Sequence, residues 1–446
     1  MEDLQRMLNA LKTYCAKWRM FVNTAKTKVI MFNHTTRKSV WETSMPSLFY
    51  NGVKLEVVEE FKYLGIMFHA NTRYKAAVEH RLLQGKRLVA AWMRRCNIWC
   101  FKPDVVVSQF KTFVLPALEY GVGLWGAGTY KSYTWEQVEV FWRYIARCIL
   151  GVSTRAPNSG VYGDLGWFPF YTRASWQAIA FFTRATEMPS NSLVREAMYA
   201  QRTLLAQGKD CWLSTLKDTL CTTSYGSICW NTWWLDSDFM CACSRISIDD
   251  RGKQCVIRWE DDCYDECKNL YIHDHWHKDV IREHAKHGEG GNKLRTYKLF
   301  KQSWGFEPYL VHIDNRDKRV LMSKFRIGIC PLRIETGRYE NDGHRKCISP
   351  HERICLVCRH PREIEDEFHF LLQCPTYSRL RCRLLQVVKD ILNLSDADIA
   401  RLLPDSDQLF ASVMGSQQKE VICAVSDYLW DAFRMREQVM LDREAN

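Results

Sequence analysis

The chain has 446 residues, 47% hydrophobic and 25% charged, which excludes a disordered tail and fits a soluble globular protein of two to four domains. A net charge of +11 leans toward a polyanionic partner. No run reaches the roughly 18 uninterrupted apolar residues of a membrane span, and 19 cysteines, odd in number and set among apolar residues, argue against a secreted disulfide scaffold and for an intracellular, reducing compartment.

Leu4, Met7, Leu8, Leu11, Tyr14, Cys15 and Trp18 recur at three-and-four spacing, so the chain is expected to open on an amphipathic helix with one buried face, where a signal peptide would otherwise stand. Lys28 to Phe32 reads as a short strand. Further strands are expected in LFYNGVKLEVV, with a turn at Asn51-Gly52, and in FKYLGIMF. From about residue 72 to 184 the pattern turns helical, with joints at Pro103, Pro116, Gly151, Pro157 and Pro169. Residues 187–290 hold short Trp- and Cys-containing runs and close on a glycine linker at Gly288, Gly290 and Gly291. A basic segment, a cysteine module and two or three helices complete the chain. The expected fold is mostly α and multidomain, with a small α+β unit at the N-terminus and divisions at 1–70, 71–185, 186–290 and 291–446.

Metal-ligand chemistry is concentrated in ERICLVCRHPREIEDEFHFLLQC (352–374). Cys355, Cys358, His369 and Cys374 fall at C-x2-C-x10-H-x4-C. Three thiolates and one imidazole complete a tetrahedral set for Zn2+ with no open position, so the site reads as structural rather than hydrolytic. The two-residue gap lets one tight turn present both sulfurs, and Phe368, Phe370, Leu371 and Leu372 point to a short packed helix between the third and fourth ligands. Cys347 and His360 lie close by as reserve ligands. A rival set is Cys263, Cys267, His273, His275 and His277, where HDHWH on a strand would place the imidazoles on one face; the plainer reading is a polar surface stretch.

Two runs carry the positive charge. Between Lys293 and Arg333 ten Lys or Arg face three acidic residues, interleaved with Tyr297, Phe300, Trp304, Phe306, Tyr309 and Phe325. Lys298, Lys301, Trp304, Lys318, Arg319 and Arg326 are the expected nucleic-acid contacts there, cations for phosphates and rings for unpaired bases. The second run is Arg81, Lys86, Arg87, Arg94, Arg95 and Lys102, with Trp92 and Trp99 beside it; Arg87, Arg94 and Arg95 are its expected contacts. For both runs the alternative is a solvated helix face over ordinary core aromatics. No phosphate-cradling P-loop and no G-x-S-x-G elbow occurs.

LQRMLNALKTYCAKWRMFVNTAKTKVIMF followed by VEEFKYLGIMF resembles the end of the palm of non-LTR retrotransposon (LINE-like) reverse transcriptases, with Asn23, Lys26, Thr27, Lys28 and Phe32 on the family's N-x-x-K-T-K-x-x-x-F strand and Tyr63, Leu64 and Gly65 on its primer-grip hairpin. FVLPALEYG (Phe113 to Gly121) resembles the helical thumb, and RCILGVSTRAPNSGVYGDLGWFP (Arg147 to Pro169) extends the likeness. LRIETGRY (Leu332 to Tyr339) and the cysteine module resemble the C-terminal zinc-knuckle region. The resemblance implies a palm remnant with primer grip over 1–70, a helical thumb and connection over 71–185, a variable middle over 186–290 and a zinc-binding domain with helices over 291–446.

The family's Ala-Asp-Asp box, whose carboxylates hold two Mg2+ ions, has no counterpart here. The later cluster WEDD (Trp259 to Asp262) reads as a solvated acidic turn. The resemblance therefore implies a nucleic-acid-binding half of an RNA-directed DNA polymerase, inactive alone, that holds RNA template or target DNA in the nucleus or cytoplasm. Lys26 would donate a proton to the leaving pyrophosphate, and Mg2+ would serve, only in an intact enzyme. Two alternatives stay open: a truncated form of a full reverse transcriptase, and a zinc-stabilised scaffold that binds no nucleic acid. Oligomeric state is not legible.

Overall fold

The computed structural model describes residues 2–32, 47–71, 74–126, 133–224, 226–227, 230–231, 245–248, 254–257, 259–282, 291–340, 348–395, 397–398 and 406–444. The fold is mostly helical.

Helix α1 (Glu2–Lys17) opens the chain. Strand β1 (Lys28–Val29) is shorter than expected and pairs in parallel with β4 (Glu56–Val57). Between them β2 (Phe49–Tyr50) and β3 (Val53–Lys54) form a hairpin across Asn51-Gly52. Both turn residues have positive φ, 47° and 79°, the conformation for which an Asn-Gly pair is suited. Gln5 ties α1 to β2: its amide donates to the Phe49 carbonyl at 2.8 Å, and its oxygen accepts from the Phe49 N–H at 2.9 Å.

The expected buried face of α1 is not buried. Cys15 alone of its residues is enclosed, while Met7, Tyr14 and Trp18 are 68%, 54% and 59% exposed. A hairpin of two residues per strand offers too little surface to cover a stripe four turns long. Strands β5 (Glu60–Tyr63) and β6 (Ile66–His69) form a second hairpin, turning at Leu64 and Gly65, again at positive φ.

The helical body follows the proline and glycine joints. Helix α2 (Lys75–Arg95) leads to α3 (Pro103–Gln109), with proline at its first position where no N–H is needed. A π turn, Phe110–Val114, joins α3 to Leu115–Leu118. Pro116 sits just past it and has no N–H to give the carbonyl four residues back. Helix α4 (Tyr133–Leu150) ends at Gly151, φ 70°; α5 (Asn158–Leu165) ends at Gly166, φ 61°; α6 (Phe170–Glu187) starts after Pro169. Phe110 packs at the centre, its ring 5.7, 5.6 and 5.2 Å from those of Trp92, Trp142 and Trp167. Much of the tryptophan excess therefore serves the core.

Helices α7 (Leu193–Ala206), α8 (Trp212–Leu220) and α9 (Trp259–Leu270) pack on α6 around Phe182, Leu213, Leu216 and Cys263. Strands β7 (Arg245–Ile248) and β8 (Gln254–Ile257) form an antiparallel pair. The C-terminal region is built from α10 (Arg316–Arg326), α11 (Ser378–Leu392), α12 (Ser406–Met414) and α13 (Lys419–Glu444).

The main hydrophobic cluster extends from Ala77 to Ala432 and draws on both sides of residues 185 and 290. A buried polar network helps to join these regions. Asp164 of α5, fully enclosed, accepts from Tyr297 and Tyr309 hydroxyls at 2.9 Å each and from Arg326 through two nitrogens at 3.2 Å. Arg326 also donates to Glu307 at 2.6 Å and to the Met414 carbonyl at 3.0 Å, and Glu307 in turn pairs with Lys301. Satisfied on all sides, such a network fixes how α5, α10 and α12 meet.

Candidate metal centre and candidate nucleic-acid surfaces

The metal module starts from a short antiparallel bridge between Ile354 and Ile364. The Cys355 N–H donates to the Glu363 carbonyl at 2.8 Å, and the Glu365 N–H to the Arg353 carbonyl at 3.0 Å. Between these segments the chain turns tightly: Arg359, at φ 55°, donates its N–H back to the Cys355 carbonyl at 3.0 Å. That turn brings Cys355 and Cys358 together. His369 opens the one-turn π helix His369–Gln373, held by Asp366, whose carboxylate accepts the His369 N–H at 2.9 Å. Cys374 follows that turn, with its N–H on the His369 carbonyl at 2.7 Å.

The result is one cluster. The ligand atoms of Cys355, Cys358, His369 and Cys374 all lie within 4.8 Å of one another, and Cys358 Sγ is 3.4 Å from His369 Nε2. Four donors at about 2.0–2.3 Å from a tetrahedral ion would stand roughly 3.5–3.8 Å apart, so modest contraction suffices. The residues fit a metal ion. Burial and mutual hydrogen bonding set the thiols against each other: the Cys374 thiol is lowered by its bond from Cys355, whose own thiol is pushed up to about 12 by that bond and by burial. A divalent ion held by these four side chains would resolve this competition, since it binds thiols in their deprotonated form.

The module is fastened to the C-terminal helices. Glu365, fully buried, receives Arg436 of α13 through two nitrogens at 2.8 and 2.9 Å, and the Arg333 N–H at 2.8 Å. Tyr428 of α13 donates to the Phe370 carbonyl at 2.6 Å, and Arg381 of α11 donates to the Leu371 carbonyl at 3.0 Å and to that of Cys374. The apolar run read as a packed helix does pack: Phe370 and Leu371 are fully buried.

Of the reserve ligands, Cys347 lies outside the described residues, and His360 is exposed, 4.0 Å from Glu363. The rival set does not assemble. HDHWH is helical rather than a strand, lying in the π helix Tyr271–His277 that continues α9, with all three histidines exposed and Tyr271 and Trp276 buried. WEDD is likewise the start of α9 and not a turn. Among the described residues the Cys3His group is the one cluster suited to a metal.

The basic segment 293–333 requires correction. Lys301, Arg319 and Arg326 are buried, at 5%, 6% and 3% exposure. Arg319 donates to the Ile313 carbonyl at 2.7 Å, and the other two serve the Asp164–Glu307 network. None presents charge to a phosphate. Trp304 is wedged against Phe168, Tyr271 and Trp276, with centroids 4.9, 5.6 and 5.3 Å away, so it is no open stacking platform. Tyr297, Phe300, Tyr309 and Phe325 are also buried. Lys318 pairs with Asp427 at 2.6 Å, and Lys298 is exposed.

Four cations of the other run stay at the surface, while Lys102 pairs with Asp314 at 2.6 Å. Arg87, Arg94 and Arg95 of α2 are exposed, as is Lys86, and none has an ion-pair partner among the described residues. Arg87 and Arg94, two turns apart, share a face. Trp92 is a core residue and Trp99 lies under the Arg316 guanidinium at 4.9 Å. Arg81 turns inward and donates to the Gly65 carbonyl at 3.0 Å. Tyr120 donates to the Leu64 carbonyl at 2.7 Å, so both groups dock the Tyr63-Leu64-Gly65 hairpin on the helical body and leave Tyr63 and Leu64 exposed. Lys26 is exposed on the turn before β1, where Asn23 caps it by accepting the Lys26 N–H at 3.1 Å.

The hairpin's contacts with Arg81 and Tyr120 carried no sequence signal, since they join residues 16 and 56 apart. No family model, no curated protein and no solved structure matches this chain. No helix among the described residues is long and apolar enough to cross a membrane.

Proposed function

We propose that the chain is the nucleic-acid-holding C-terminal half of a non-LTR retrotransposon reverse transcriptase, with a structural zinc ion closing its C-terminal region. The observation that carries the reading is the meeting of Cys355, Cys358, His369 and Cys374 in one cluster, at the place in chain order where the resemblance sets a zinc knuckle. Zinc, when bound there, supplies cross-linking of two loops and no reactive position. The exposed cations Arg87, Arg94 and Arg95 on α2, at the thumb position of the resemblance, supply the surface for RNA template or target DNA, with Lys298 a lesser contributor. The exposed tip at Tyr63 and Leu64 is placed to meet a primer end. In this reading the chain holds substrate; Lys26 as proton donor and Mg2+ as cofactor would act only together with the family's Ala-Asp-Asp carboxylates. Such a protein works where its nucleic acid lies, in the nucleus or the cytoplasm.

The test is binding of the full chain to single-stranded RNA and to duplex DNA across a salt series. The reading expects affinity to fall steeply with salt, and an Arg87→Ala, Arg94→Ala, Arg95→Ala variant to lower the log–log slope by up to about three. No binding at low salt would sink it. A second reading, a zinc-stabilised scaffold without nucleic-acid binding, is favoured by the burial of Lys301, Arg319 and Arg326. It expects bound zinc with no affinity for either nucleic acid.

A further inference from the structure

We infer that Glu363 is a positioning residue of the metal site, accepting the Nδ1 proton of His369 so that Nε2 is left bare and aimed at the ion. The inference rests on the zinc reading above. Nε2 of His369 faces the thiols, 3.4 Å from Cys358 Sγ, and Nδ1 on the opposite side of the ring lies 3.2 Å from Glu363 Oε2. A neutral imidazole carries one N–H, and a ligating nitrogen carries none. The ring must then hold its proton on Nδ1, where a carboxylate accepts it, fixes the ring's rotation and raises the basicity of the ligating nitrogen.

The backbone sets Glu363 up for this role. Its carbonyl receives the Cys355 N–H at 2.8 Å, so the hydrogen bond that aligns the first ligand also fixes the residue that steadies the third. The backbone of His369 is anchored separately, by Asp366 at 2.9 Å, which leaves ring rotation as the freedom Glu363 removes. The neighbouring acids are committed elsewhere: Glu365 to Arg436 and the Arg333 N–H, Asp366 to the His369 N–H. His360 Nδ1, at 4.0 Å from the other Glu363 oxygen, is too far to compete as a hydrogen bond. The Glu363 side chain is 40% exposed, so replacing it removes no core packing.

The experiment is zinc competition between the full chain and a chromophoric chelator, with the visible spectrum of the Co2+-loaded protein as a second readout of ligand geometry. Glu363→Ala should weaken zinc about 10- to 100-fold, the range for outer-shell partners of metal histidines, and should alter the Co2+ spectrum. Glu363→Gln keeps an acceptor oxygen and should recover most of the affinity, and His360→Ala should match the wild type. A wild-type affinity and spectrum in Glu363→Ala would overturn the inference while leaving the zinc reading intact. So would a Glu363→Gln variant no better than Glu363→Ala. A wild-type chain that takes up no zinc would instead overturn both.

Discussion

At the scale of single residues, what a charge does here depends on partners far away in sequence. Arg326 sits in a segment whose local excess of cations reads as a phosphate surface, yet it meets Asp164, 162 residues distant, in the protein interior. No local pattern announces that pairing; only the tertiary fold brings the acid to it. Replacing Arg326 with Met leaves the carboxylates of Asp164 and Glu307 without it, and should destabilise the chain by about 3–5 kcal/mol in denaturant unfolding. A loss within experimental error would contradict the role given to this network. Glu139 is a second case. Its carboxylate accepts the N–H groups of Phe170 and Tyr171 at the start of α6, but burial outweighs those bonds and lifts its pKa to about 7. A carboxyl with a raised folded-state pKa is protonated more readily when folded. Its stabilisation is complete below the unfolded value near 4.5 and is lost as pH rises through about 7. Unfolding measured at pH 5 and pH 8 should therefore show the wild type losing more stability over that interval than Glu139→Gln, by on the order of 3 kcal/mol. Equal losses would show that Glu139 ionises as freely in the folded chain as in the unfolded one.

Among the elements, those governed by neighbouring residues were legible and those governed by a partner surface were not. Asn51-Gly52 turns a hairpin, Pro103, Pro157 and Pro169 mark helix starts, and the C-x2-C-x10-H-x4-C spacing assembles a cluster, because each depends on backbone geometry within a few residues. HDHWH misled because its period of two in histidine looked like a strand. The residues that decide are Tyr271, Trp276 and Val280, which bury along one side of a helix, with Trp276 Nε1 donating to the Ser159 carbonyl at 2.9 Å. Helix α1 shows the opposite failure: its periodicity is correct, but amphipathicity states only that a face wants cover, not that cover exists. Leu4, Met7, Leu11, Tyr14, Trp18 and the 98% exposed Phe21 make this end prone to self-association. A Met7→Lys, Leu11→Lys variant should stay soluble to higher concentration with unchanged helix content by circular dichroism. An unchanged solubility limit would place the liability elsewhere.

For the molecule as a whole, the main core draws together segments far apart in the sequence. Residues 77–174 and 271–432 contribute to one core, residues 178–263 build a second cluster, and the cysteine module is locked to α13 through Arg436 and Tyr428 rather than hanging as a separate bead. Closing that module therefore bears on how the C-terminal helices are held. The proposed nucleic-acid surface, by contrast, contracts to α2 and Lys298 once the buried cations are set aside. The most direct test is the zinc content of the purified full chain beside Cys355→Ser and His369→Ala, read by atomic emission. The account predicts one zinc per chain in the wild type, with loss of tightly held metal in both variants. A wild-type chain without zinc, or variants that hold it as tightly, would contradict it.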